Sequence, residues 1–365
     1  MDLLRLGNES FFVNSLPSQV NVLNVPFSTN ILLCKSAKES MLMLFKQKKY
    51  LMCLFEFVGH GIYKVLSKLT GLNTKIFKWK IISFVIPQIE SNYDVAIAYN
   101  YDYPIHFIID KVKAKKKIGW IHGNYKLTKS IAMLDKIYFN KLDKIVTVSE
   151  TCLDILNNVF PKYSHKLVII ENILSPNVIN LLSNQFKEGL NKKENEINIV
   201  TVARLSSEKG IDMAIKALSL LVKEGHNIKW TVIGEGFERN NLEQLIKTYD
   251  LEERFDLIGE KTNPYSYIRQ ADIYVQPSIT EGKSIAIEEA KILGKPIVVT
   301  NYSTVNDQIK DSQNGLIVSI NPNGLFDGIN KLLNSPKMRS DFSNELLKDI
   351  QGNENEVLKF YEIIN

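Results

Sequence analysis

Cysteine is scarce. The 365 residues hold three, Cys34, Cys53 and Cys152, at spacings that match neither a metal knuckle nor a disulfide framework. That excludes a disulfide-stapled secreted scaffold and predicts a reducing compartment. Histidine is also sparse, with five scattered residues and no cluster at metal-ligand spacing. No apolar stretch reaches the roughly 18 residues that a membrane-spanning helix needs. Met1 is followed by no basic segment with a long apolar run, so no secretory leader is expected and a cytoplasmic location is. No nucleic-acid motif appears, and the basic residues are almost all lysine rather than arginine, so nucleic acid is not an expected partner.

What is present fits an ordinary globular chain. Hydrophobic residues make up 45% and charged residues 23%, and this length suggests two domains with ample core. The charge is divided unevenly. Residues 1–175 hold 23 Lys and Arg against 13 Asp and Glu, a net of +10, whereas residues 176–365 hold 22 against 27, a net of −5. A basic first half predicts an anionic partner, and with no nucleic-acid motif an anionic membrane surface leads. Residues 38–69 have helical periodicity, with Lys46, Lys48, Lys49, Lys64 and Lys68 among the apolar positions, and Lys75, Lys78, Trp79 and Lys80 follow. Such basic and aromatic helices suit a membrane interface. They suit equally an amphipathic helix packed on the domain's own sheet.

Residues 276–300 organise the chain. A short apolar strand, Ile273, Tyr274 and Val275, is closed by Pro277. A polar loop runs to Lys283, and Ser284 can cap a helix carrying Ile285, Glu289, Ile292 and Leu293 at helical spacing. Gly294 and Pro296 end that helix, and residues 297–299 form a buried strand of parallel-sheet type. Strand-to-helix loops at the carboxyl edge of such a sheet are where α/β proteins bind ligands. The amides of Ser284 and Ile285 would face an anion, with Glu281 and Glu289 on either side. The plainer alternative is a helix with solvated glutamates.

The other strands punctuate the chain similarly. Residues 93–99, 117–122, 143–150 and 167–170 read as strands of a first domain. A short strand is also expected near residues 3–6, a turn at 7–10 and another strand at 20–25. His122 closes the second of the domain's longer strands, followed by Gly123, where a capped structural histidine and a functional one are both open. Residues 111–117 read as a solvated basic turn or helix end. In the second half, residues 197–203 form a buried strand with Arg204 at its carboxyl end and Lys209 and Gly210 shortly after. Two cations on one strand-to-helix loop suit a diphosphate, with surface charge as the alternative. Residues 229–233 are a strand followed by Gly234 and Gly236, and residues 255–260 another strand and turn. The expected domains are 1–178, a linker at 179–196, a second domain at 197–348 and a terminal helix at 349–365.

Glu281-x7-Glu289 with Gly282, Ala290, Gly294, Pro296 and the Val298-Val299 strand resembles the signature of the retaining glycosyltransferases of family 4, the group 1 glycosyltransferases of GT-B fold. The resemblance runs from about Leu3 to the C-terminus and is strongest in the second half. It implies two Rossmann-like domains facing across a cleft, the first incomplete, because the family's first strand, glycine-rich loop and first helix have no counterpart. It implies metal-independent transfer of a sugar with retention, with no cofactor beyond the nucleotide-diphosphate sugar donor. Trp120-x-His122 matches the family segment whose histidine faces the donor sugar, and Arg204-x4-Lys209-Gly210 matches its donor-phosphate motif. Gly234 and Gly236 fall where backbone approaches the nucleotide, and Ile258 where the base is cradled. Ser284 and Ile285 face the phosphates, Glu289 the ribose hydroxyls, and Glu281 the sugar. Where the family often has Phe-Gly-Leu, this chain has Lys283-Ser284-Ile285, which adds a cation beside the site.

The implied acceptor is a lipid-linked saccharide of bacterial capsule, exopolysaccharide or cell-envelope synthesis, with the chain peripheral on the inner membrane face. Two rivals belong to other classes. One is an inactive nucleotide-sugar-binding subunit, the other a sugar-nucleotide epimerase that needs no acceptor.

Overall fold

The computed structural model describes residues 1–4, 16–23, 37–71, 75–125, 132–185, 189–191, 193–348 and 352–365. The turn expected at residues 7–10 lies outside the described residues. The chain forms two compact units.

The first unit comprises residues 1–148, 152–169 and 362–365. Its elements are β1 (Asp2–Leu4), β2 (Asn21–Leu23), α1 (Ala37–Lys46), α2 (Tyr50–Thr70), α3 (Lys75–Ile82), β3 (Asn92–Ala98), α4 (Tyr103–Lys111), β4 (Lys113–Ile121), α5 (Ala132–Phe139), β5 (Lys144–Thr147), α6 (Glu150–Val159) and β6 (Leu167–Ile169). Strands β3, β4, β5 and β6 form a parallel sheet in that order, and β1 pairs in parallel with β2. Parallel strands need covered faces, and Trp79, Phe107, Phe139 and Phe160 are among the buried side chains that supply the cover. The basic stretch at 111–117 ends α4 at Lys111, as one of its two readings expects, and its remainder from Lys113 is corrected to the opening half of β4. There Lys115 reaches Asp94 at 2.7 Å and Lys117 donates to the Ile109 carbonyl at 3.1 Å. Long lysine stems let a strand carry charge while the ammonium groups leave the packed layer.

The second unit comprises residues 149–151 and 170–361. It contains α7 (Pro176–Ser183), β7 (Ile197–Val202), α8 (Ile211–Lys223), β8 (Ile228–Ile233), α9 (Arg239–Thr248), β9 (Phe255–Leu257), α10 (Tyr265–Gln270), β10 (Ile273–Gln276), α11 (Ile285–Ile292), β11 (Ile297–Thr300), β12 (Leu316–Val318), α12 (Pro322–Leu333), α13 (Pro336–Lys348) and α14 (Glu356–Ile364), whose last turn groups with the first unit. The division at 169/170 precedes the expected 178/179. The reason is that α7 is tied to the second unit, with Asn263 donating to the Leu182 carbonyl at 2.7 Å and Arg269 to Ser183 Oγ at 3.1 Å.

The second sheet is all parallel, in the order β12-β11-β10-β7-β8-β9. Successive strand residues feed opposite layers: Ile199 and Val298 join the core under α8 and α12, Val200 and Val299 the core under α10 and α11. The chain runs outward from β7 through β8 to β9, then outward the other way from β10 to β12. The sheet therefore has its topological switch point between β7 and β10, the place where open α/β sheets bind ligands.

Candidate active site

The loops that leave β7 and β10 flank this switch point. Register puts Ile273 beside Ile199 and Tyr274 beside Val200, so the carboxyl ends of the two strands lie side by side. Arg204 and Lys209 follow one strand, Glu281 the other, and the sheet brings together residues that lie over 70 positions apart.

Glu281 is held from below. Lys209 Nζ lies 2.7 Å from both carboxylate oxygens. Ser278 Oγ donates to the same group at 2.7 Å and Gln276 Nε2 at 3.2 Å. Gln276 is itself anchored by the Tyr274 hydroxyl at 2.7 Å, and its amide also donates to Ser278 Oγ at 2.9 Å. The Thr304 hydroxyl holds the Glu281 carbonyl at 3.0 Å, and Thr300 donates to the carbonyls of Gln276 and Ser278. Lys209 and Glu281 keep only 15% and 10% of their side-chain surface exposed, so the pair is a fixed, largely desolvated unit.

Arg204 contrasts with it. Its side chain is 75% exposed and meets Glu208 at 3.3 Å. Its planar fork is free to turn toward an anion at the sheet edge. Its loop is clamped from behind by the segment after β8. The Ala203 and Leu205 amides donate to the Ile233 and Glu235 carbonyls at 3.0 and 2.9 Å. A Cβ on Gly234 would stand 2.0 Å from the Ala203 carbonyl oxygen, and one on Gly236 2.1 Å from that of Leu205. The two glycines expected to let backbone approach a nucleotide thus make room for the Arg204 loop. Ile258, half-buried, donates its amide to the Val232 carbonyl at 3.1 Å.

Helix α11 starts at Ile285 with Ser284 as its cap residue. The Ser284 amide does not stand open as expected. It donates to Gln308 Oε1 at 2.8 Å, while Gln308 Nε2 returns a bond to the Ser284 carbonyl at 2.8 Å and another to Glu288 at 2.9 Å. The first residue of the helix beyond this clamp is Ile285, which is 43% exposed. Lys283, expected as a cation beside the site, is paired with Glu171 at 2.5 Å, so its charge is already matched.

Glu289 lies one to two turns into α11 and is buried. Burial pushes its carboxyl up to about 7, against the Tyr265 phenol, which bonds to it and acts the other way. A helical side chain leans toward the helix start, so this carboxyl sits behind the amides that open α11.

His122 belongs to the first unit, just past the end of β4. Its Nε2 lies 3.1 Å from the Tyr99 carbonyl, which can only accept, so Nε2 carries the proton and Nδ1 is left as an acceptor. Burial holds the ring's pKa below its ordinary value, the carbonyl opposing it. The neutral imidazole also meets the Tyr99 ring edge-on at 4.9 Å.

Sequence reasoning passed over Gln276, Ser278, Tyr265 and Gln308. Gln276 carried a signal, a polar residue ending an apolar strand. Gln308 and Tyr265 carried none, because only the fold brings them to α11.

Residues 183–348 match the family model of the glycosyl transferases group 1. That stretch lies within the second unit, spans less than half of the chain and is similar to a group 1 glycosyltransferase domain. An uncharacterized glycosyltransferase of Haemophilus influenzae is 30% identical over 235 residues, which is 63% of this chain and 64% of that protein. A Campylobacter jejuni protein named N-acetylgalactosamine-N,N'-diacetylbacillosaminyl-diphospho-undecaprenol 4-alpha-N-acetylgalactosaminyltransferase is 30% identical over 149 residues, 40% of each chain. The chain thus spans under two thirds of the length of these curated relatives. Among solved structures, Anabaena HepE in complex with UDP and glucose aligns with a TM-score of 0.62 at 16% identity, over 74% of this chain and 77% of that one. The shared fold is GT-B. Glu281, Arg204, Lys209 and Glu289 all lie within the matched domain, and His122 lies outside it.

Proposed function

We propose that this chain transfers a sugar, with retention of anomeric configuration, from a nucleotide-diphosphate sugar to a lipid-linked saccharide in bacterial capsule, exopolysaccharide or other cell-envelope glycan synthesis. The observation that carries the reading is the pairing of Lys209 with Glu281 across the β7/β10 switch point, between the exposed Arg204 and the start of α11. A departing diphosphate gathers negative charge as the glycosidic bond breaks. The helix-start amides are preorganised donors for that charge, which is where electrostatic catalysis acts, and the exposed guanidinium fork of Arg204 can turn to join them. Lys209 serves in two ways, holding Glu281 and adding a cation beside the phosphates. Glu281, held by Lys209, faces the sugar as it becomes oxocarbenium-like, and Glu289 takes the ribose hydroxyls. These residues supply the charge, so the proposal needs neither cofactor nor metal. His122 is proposed to meet the donor sugar with its unprotonated Nδ1.

The acceptor class is supported by the Campylobacter relative, whose name specifies a diphospho-undecaprenol-linked saccharide. A UDP-sugar is the first donor to try, given the UDP and glucose bound by HepE. The test is to supply a panel of nucleotide sugars with and without a lipid-linked saccharide and to read the product's anomeric configuration by NMR. The proposal predicts transfer only with acceptor and the same configuration in donor and product. An inverted product would refute retention. A changed sugar nucleotide without acceptor would establish the epimerase, and nucleotide binding without turnover a binding subunit.

A further inference from the structure

Helix α2 is apolar on two sides, and on the covered one Met52, Phe55, Tyr63 and Leu66 are half-buried. Its fully buried residues are Glu56 and Gly59. The Glu56 carboxylate is taken up inside by Lys78 at 2.7 Å and Ser40 Oγ at 2.9 Å. The opposite, exposed side carries Leu51, Leu54, Val58, Ile62, Val65 and Leu69. Steps of three and four residues keep these on one stripe, about 27 Å long at 1.5 Å per residue. Phe45 of α1, 61% exposed, continues the apolar surface beyond the start of α2. An amphipathic helix packed on its own domain would keep its outward stripe polar. A contiguous exposed apolar face of this kind marks an interaction surface.

The rim of the face identifies its partner. Lys46 and Lys48 lie exposed at one end of the stripe, Lys64 and Lys68 at the other. Among the described residues of α1 and α2 the exposed carboxylate is that of Glu39, at the start of α1. A second copy on this face would set lysine against lysine. An anionic lipid surface offers hydrocarbon to the stripe and phosphate to the rim. No described helix is long and apolar enough to cross a membrane, so α2 would lie in the interface plane.

We propose that the first unit docks on anionic lipid bilayers through the outward face of α2 and the lysines at its two ends. This deepens the acceptor reading above by naming the surface that brings the chain to a lipid-linked substrate. It rests on that reading only for its purpose, because vesicle binding needs no turnover.

The test is flotation of the full chain with vesicles of phosphatidylcholine alone and of equimolar phosphatidylcholine and phosphatidylglycerol, at low and high salt. Binding to the anionic vesicles alone, weakening with salt, is expected. Leu54→Glu/Val58→Glu/Val65→Glu should abolish it with an unchanged melting temperature, since all three side chains are exposed. Lys64→Gln/Lys68→Gln, which leaves the apolar face intact, should weaken it roughly 20-fold. Binding to neither vesicle, equal binding to both, or wild-type binding by the triple variant would overturn the proposal. So would a dimer seen by light scattering without vesicles and broken by the triple variant, which would give the face to a second copy. Nucleotide binding by the second unit, measured alongside, separates failure of this proposal from failure of the transferase reading.

Discussion

At the scale of single residues, the two cations of the β7 loop are different in kind. Arg204 is exposed and lightly paired, so Arg204→Ala should leave the melting temperature unchanged while costing about 2–4 kcal/mol of transition-state stabilisation, read from kcat/KM. Lys209→Ala should cost activity as well, and also stability. It strands the Glu281 carboxylate in a desolvated site, a loss of about 3–5 kcal/mol in typical buried pairs. Lys209→Met/Glu281→Gln should recover most of that stability and none of the activity. Recovered turnover in the double variant would show that neither charge serves the reaction. The R-x4-K spacing made both residues legible in the sequence. Their difference was not, because it depends on Glu281 arriving from a strand that only the sheet order makes a neighbour.

At the scale of elements, the strand-loop-helix pattern of residues 273–300 was readable because buried parallel strands and an amphipathic helix have distinct periods. Ser284 is the cap residue that the pattern predicts, but its amide does not stand open to an anion. Gln308, from the segment after β11, satisfies the Ser284 amide and carbonyl with one side chain, and no local signal reports so distant a partner. Gln308→Glu keeps the shape but gives up the amide donor and faces Glu288 with like charge. It should lower the protein's stability by roughly 1–3 kcal/mol, seen as a reduced denaturant midpoint, and should lower kcat more than it raises KM by loosening the loop that carries Glu281. An unchanged kcat would leave Gln308 a purely structural clamp. The same limit hid the facing of α2. Its apolar and basic residues were plain in the sequence, but a period says which residues share a side, not which side is covered.

At the scale of the whole molecule, each unit contains a buried carboxyl with a raised pKa. Burial lifts Glu289 to about 7, and lifts Asp135 to about 6 against hydrogen bonds from Tyr125 and Tyr101. A carboxyl raised on folding binds its proton more tightly in the folded state. Its stabilising contribution is complete below the ordinary carboxyl range and is lost as pH rises through the folded value. The second unit should therefore lose stability between roughly pH 4.5 and 7, on the order of 3 kcal/mol from Glu289. Glu289→Gln should gain in melting temperature relative to wild type as pH rises from 5 to 8, and a constant difference across that range would contradict the raised value. None of this was legible in composition, since only packing decides which of 40 acidic residues is desolvated.

The central claim is that the switch point of the second unit holds a nucleotide sugar between two carboxylates with separate tasks. Calorimetric titration of nucleoside diphosphate and donor into Glu281→Gln and Glu289→Gln, beside turnover, tests it most directly. At pH 8, where Glu289 is ionised, Glu289→Gln should weaken nucleoside diphosphate binding by about 1–3 kcal/mol through its bonds to the ribose. Glu281→Gln should leave that affinity near wild type and lower turnover, because its contact strengthens as the sugar becomes oxocarbenium-like. Loss of nucleoside diphosphate binding in Glu281→Gln, with none in Glu289→Gln, would contradict the account and exchange the two roles.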